Sequence, residues 1–168
     1  MVCLALALKL RINTTASMPI GLYREGPPHF ERGTWVVFCL PERFAAIGRE
    51  RSYLRKGSCF DESQELMKEI VAVPGDRIAL TPDGLTVNGR AIPGTAPHAV
   101  DRNRRALAHA PFAEKALPPG DFWVLGLARQ LSWDSRYFGP VPRDHIFGTA
   151  IPILTLDLTP CRAEDILR

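Results

Sequence analysis

Prolines and glycines fall so often along this chain, 15 and 13 in 168 residues, that few stretches can hold an uninterrupted helix. Proline removes a backbone donor and clashes with the preceding turn, and glycine costs conformational entropy wherever a regular element orders it. Between the breaks lie short runs rich in β-branched and aromatic residues. Thr34 to Leu40 is one, ended by Pro41. Ile70 to Val73 is another, stopped by the turn Pro74-Gly75-Asp76. Arg77 to Leu80 and Leu85 to Val87 flank Pro82-Asp83-Gly84 and read as a hairpin, with a second turn at Asn88-Gly89. Phe122 to Leu125 and Gly148 to Leu154 supply later strands. Only Glu42 to Lys56, with Phe44, Ile47 and Leu54 among charged residues, has the spacing of a surface helix. Ile92 to Pro119 has little periodicity and reads as irregular, or as an excursion over the surface. The expectation is one mostly β, antiparallel domain with one or two short helices.

The length supports one domain with a real core rather than two. A net charge of +3 is too small and too evenly spread to imply a nucleic-acid partner. Its densest basic cluster, Arg102, Arg104 and Arg105, lies in a Pro- and Ala-rich stretch and reads as a solvated loop. Cysteines stand at 3, 39, 59 and 161 with no C-x-x-C pair, and no His spacing builds a zinc site, so no metal or other cofactor is expected. Cys39 and Cys59 are either bridged, if the compartment is oxidising, or two free buried thiols. The apolar run Val2 to Leu8 is followed by Lys9-Leu10-Arg11 and is too short to cross a bilayer, which takes about 20 residues. It reads as the outer end of an anchor, residues 1–12, or as a short interfacial segment.

Three segments carry chemistry. In Thr15-Ala16-Ser17-Met18-Pro19-Ile20-Gly21, the rigid Pro and nearby Gly hold Ser17 in a tight turn at a strand end. That setting suits an exposed nucleophile whose own N–H can help bind an oxyanion. In isolation it is a plain turn serine. In Met67-Lys68-Glu69-Ile70-Val71-Ala72-Val73, a lysine enters an apolar strand. Burial disfavours its ammonium form, and a neutral lysine can act as a base without histidine; alternatively its amine snorkels to water. In Ser132-Trp133-Asp134-Ser135-Arg136, positions 132, 134 and 136 would share one face of a strand. Asp134 and Arg136 would then pair, or the three residues from Asp134 would simply close a hairpin.

Together the three segments resemble the boxes of type I signal peptidases, Ser/Lys endopeptidases, in the family's order from about Asn13 to Ile153. Ser17-Met18-Pro19-Ile20-Gly21-Leu22-Tyr23 and Arg136-Tyr137-Phe138-Gly139-Pro140-Val141 look most like the TraF type of conjugative-transfer peptidase, as do the small size and the pair Cys39 and Cys59. The resemblance implies a signal-peptidase-type β domain over residues 13–168. It implies Ser17 as nucleophile, Lys68 as general base, and Thr15 with the Ser17 N–H as oxyanion hole. Ser132 would orient Lys68, Asp134 and Arg136 would brace that wall, and Cys39 and Cys59 would be bridged in the periplasm. The implied substrate is an exported precursor, pilin-like, with small residues before the cut, met at the outer face of the inner membrane. The Gly-Asp-Asn-Arg run of general signal peptidases is replaced by Gly126-Leu127-Ala128-Arg129-Gln130. That sets the chain further from general signal peptidases than from the TraF type. Two further alternatives are a LexA-like self-cleaving regulator, disfavoured because almost nothing precedes Ser17, and a non-catalytic module of a secretion apparatus.

Overall fold

A computed structural model describes residues 9–126 and 132–156; the apolar run 2–8, Cys3, Cys161 and residues 127–131 lie outside them. Within the described residues eleven strands form two antiparallel sheets. In chain order they are β1 (Leu10–Asn13), β2 (Gly21–Gly26), β3 (Trp35–Phe38), β4 (Leu66–Ala72), β5 (Arg77–Thr81), β6 (Gly84–Val87), β7 (Arg90–Ile92), β8 (Ala113–Ala116), β9 (Asp121–Leu125), β10 (Val141–Pro142) and β11 (Ile146–Thr155). The larger sheet runs β1-β2-β11-β3-β4-β9-β10, and the smaller runs β7-β6-β5-β8. Among the described residues there are two helices, α1 (Glu42–Glu50) between β3 and β4 and α2 (Ser135–Phe138) before β10, with a 3-10 turn at Arg143–His145. The mostly β, antiparallel expectation holds.

The sequence explains the placement. All four residues of β3 are buried, as a strand covered on both faces requires. One face of the large sheet carries Val36, Phe38, Ile70 and Val124, packed under Leu54, Phe138 and Ala45 of α1. Val71, Ala72, Trp123 and Leu125 join the small sheet's Ile78, Leu80 and Leu85 in a second core. The hairpin turns sit where expected. Asn88 and Gly89 both adopt positive φ (51° and 78°), which Asn and Gly tolerate best.

Several boundaries differ from the sequence reading. The helix ends at Glu50 rather than Lys56, because Arg51 takes the C-cap and Ser52 turns to a positive φ of 59°. β4 begins at Leu66, not Ile70, so Lys68 and Glu69 lie within it. The supposedly irregular 92–119 stretch contains β8, whose exposed Ala-Glu-Lys-Ala carries no alternation and is held by pairing with β5.

Cys39 and Cys59 are bridged across a sequence separation of 20, with Cα atoms 5.8 Å apart. The bridge ties the end of β3 to the loop that follows α1. Closing a loop of that size stabilises by roughly 3 kcal/mol. A Cys39→Ser/Cys59→Ser variant should lose about that much in urea unfolding. A loss within experimental error would show the loop to be fixed by packing alone.

Candidate active site

Ser17 lies in the loop between β1 and β2, and Asn13 shapes that loop. The Asn13 side-chain Nδ2 donates to the carbonyls of Thr15, Met18 and Pro19 at 2.9–3.0 Å. Its Oδ1 accepts from the Thr15 N–H and the Thr15 hydroxyl. Tyr23 adds a buried hydrogen bond from its hydroxyl to the Pro19 carbonyl, 2.6 Å. Asn13 and Tyr23 were not singled out in the sequence. An Asn at a strand end just before a turn is an Asx-turn signal that could have found the first of them.

Lys68 comes from β4, two strands across the sheet from β11, and is buried to 3% exposure. Its Nζ donates to Ser17 Oγ at 2.8 Å. Burial pushes its pKa from 10.5 down to about 8, Asp134's negative charge pulls it back up, and Arg136's positive charge pushes it down again. The snorkelling alternative fails, because the strand is covered on the lysine's face. Glu69, its neighbour, points to the opposite face, where it accepts from Trp35 Nε1 at 3.0 Å.

Thr15 places its hydroxyl 3.5 Å from Ser17 Oγ, near enough to share the site, and is exposed. Asp134 and Arg136 are fully buried and paired, but not by sharing a strand face. Asp134 is the N-cap of α2, accepting from the Arg136 N–H, and the Arg136 guanidinium closes back on it at 2.8 and 2.9 Å. Burial favours release of the Arg136 proton, and the Asp134 carboxylate more than offsets it, so its pKa is raised. Arg136 also donates to the Ser132 carbonyl, and Asp134 accepts from the Gly126 N–H. The pair therefore fixes the two chain segments that close the site from β9 and α2.

Ser132 lines the same cleft as Ser17 and Lys68, but its buried hydroxyl has no hydrogen-bond partner, so the expected bond to Lys68 is not made here. Gly126 packs on it. A Cβ added there would overlap the Ser132 hydroxyl and stand 3.1 Å from Ser17 Cβ, so only glycine lets these segments close. Among the described residues, no three His, Cys, Asp or Glu side chains converge as metal ligands. The cleft holding these groups measures about 770 Å³ and is walled by β1, the start of β4, the loop after α1 and residues 101–107. It contains a hydroxyl hydrogen-bonded to an amine whose burial eases its deprotonation. That arrangement is suited to acyl transfer.

A profile of the family described as Signal peptidase, peptidase S26, matches residues 9–155. The chain is 34% identical over 146 residues to a plasmid transfer protein TraF of Escherichia coli, covering 86% of this chain and 82% of that one. It is 36% identical over 150 residues to a conjugal transfer protein TraF of Agrobacterium fabrum, covering 88% and 83%. A crystal structure of a signal peptidase I from Enterococcus faecalis superposes with a TM-score of 0.43 at 20% identity, covering 74% of this chain and 98% of the other.

Proposed function

Because the chain belongs to the signal peptidase family, peptidase S26, we propose that it is a serine endopeptidase with a Ser17–Lys68 dyad. Its substrate is an exported precursor of a conjugation system, pilin-like, with small residues before the cut. The observation that carries this reading is the buried Lys68 amine 2.8 Å from Ser17 Oγ, with its pKa held near 8. The relatives named as plasmid and conjugal transfer proteins support the conjugation setting.

The neutral Lys68 amine removes the Ser17 proton as Oγ attacks the scissile carbonyl. The oxyanion is met by the Ser17 N–H and the Thr15 hydroxyl. Lys68 then gives the proton to the departing amine as the peptide bond breaks, leaving an acyl-enzyme. A second nucleophile, water or an amine, loses its proton to Lys68 and releases the product, with Ser17 regaining its proton. Ser132 orients the Lys68 amine once substrate displaces the apo arrangement, and Asp134 with Arg136 hold that wall in place. Attachment at the periplasmic face of the inner membrane accords with the apolar side chains that the β1–β2–β11 end exposes, Ile12, Ile151, Ile153, Leu154 and Leu156. Among the described residues, no helix is long and apolar enough to cross a membrane.

Two measurements test this. Co-expression with a conjugative pilin precursor, followed by mass analysis, should give a shortened product with wild type and intact precursor with Ser17→Ala. An intact precursor with both would contradict the assignment. The rate should also follow the deprotonated fraction of Lys68. On a peptide substrate, kcat/KM should rise about tenfold per pH unit below pH 8 and level off above it. A flat profile from pH 6 to 9 would remove Lys68 as the base.

A further inference from the structure

The sequence presents Arg102 and Arg105 as part of a solvated loop, yet the fold folds that loop against the cleft. Arg51, from the turn after α1, joins them on the same wall. The two segments are cross-linked: Arg51 Nη1 donates to the Ala106 carbonyl at 2.6 Å, and Arg105 Nη2 donates to the Arg51 carbonyl at 2.9 Å. Tyr53, whose ring packs on Trp133 next to Ser132, anchors the assembly through its hydroxyl to Asp101 at 2.6 Å.

The charge on this wall is unbalanced. Asp101 is its one carboxylate, and both oxygens are already occupied. Oδ1 accepts from the Asn103 and Arg105 N–H groups, and Oδ2 accepts from Tyr53 and from Arg105 Nε. Arg102 donates to no protein group among the described residues, and Arg51 spends only part of its fork. Across the cleft the balance is different. Arg11 and Lys9 are paired there with Glu65 and Glu25, two cations against two carboxylates, so that wall is neutral. One side of a peptide-sized cleft therefore carries three guanidiniums against one lining carboxylate, with Arg102 and part of the Arg51 fork unspent.

We propose that Arg51, Arg102 and Arg105 form a carboxylate subsite that determines specificity by binding an acidic group of the precursor. Guanidinium groups match carboxylates through paired N–H donors, and the two that are held by backbone carbonyls lose little freedom on binding. The acidic group is either a Glu or Asp side chain near the cut or the free carboxylate of a chain end lying a few residues beyond it. This rests on the peptidase reading above, since it needs a peptide in the cleft.

The test uses the full-length protein and three fluorogenic peptides sharing one small-residue cut site: neutral and amidated, Glu-containing and amidated, and neutral with a free C-terminal carboxylate. One of the two acidic peptides should exceed the neutral one in kcat/KM by about tenfold, mostly through KM, with the preference shrinking as salt rises. Which peptide wins identifies the source of the carboxylate. The preference should fall towards parity in Arg102→Ala, be partly restored in Arg102→Lys, and persist in Lys115→Ala, which removes the same charge from β8 outside the cleft. Equal kcat/KM for all three peptides with Ser17-dependent cleavage would overturn the subsite alone. So would a preference that Lys115→Ala weakens as much as Arg102→Ala does. No Ser17-dependent cleavage of any peptide would overturn the peptidase reading beneath it.

Discussion

Replacing Lys68 by methionine is expected to abolish turnover and, at the same time, to make the fold more stable. Methionine fills nearly the same volume but cannot accept the Ser17 proton, so cleavage should fall by roughly 10⁴-fold or more. The gain in stability follows from linkage. Lys68 titrates near 10.5 when unfolded and near 8 when folded. At pH 6 both states are protonated, and the native state carries the full penalty of a buried ammonium, about 3 kcal/mol for a shift of this size. As pH rises from about 8 to about 10.5 the unfolded chain alone remains protonated, and the penalty fades. Urea unfolding of Lys68→Met should therefore show its advantage below pH 8 and lose it near pH 10.5. Equal stability of the two proteins at pH 6 would mean that the amine reaches water.

The second large effect concerns the ion pair behind the dyad. Arg136 is 2% exposed and Asp134 is fully buried. Arg136→Met would leave the Asp134 carboxylate with only backbone N–H donors, those of Gly126 and of residue 136. Stranding a buried charge in this way costs about 3–5 kcal/mol, a large part of the 5–15 kcal/mol that holds a typical domain together. Removing both charges, as in Asp134→Leu/Arg136→Met, should cost less than the single change. Unfolding midpoints of the two variants decide this. A single variant within about 1 kcal/mol of wild type would show that water or another group takes over from Arg136.

The strands that the sequence revealed were those with strong turns beside them, such as β5 and β6 around Pro82-Asp83-Gly84. Those it hid were made by partners. β8 has no hydrophobic pattern and exists because β5 offers it an edge. The start of β4 was missed because Lys68 and Glu69 do not look like core residues. Each is buried only because a distant group meets it, Ser17 in one case and Trp35 in the other, 51 and 34 residues away. The Asp134–Arg136 pair was foreseen for the wrong reason, since two residues with strand spacing also meet across a helix cap. The basic wall was invisible for a related cause. A loop with three arginines looks solvated until Tyr53 and Asp101 fold it over a cleft.

The central claim is that the amine at position 68 gives up its proton far more readily than an ordinary lysine and sits against the nucleophile. Its titration can be followed directly by NMR in protein labelled with ¹³Cε-lysine, the resonance being assigned by its absence from Lys68→Met. A midpoint near 8 is the predicted result. A midpoint at or above 10 would mean that the amine is charged under working conditions, and the dyad could not operate as described.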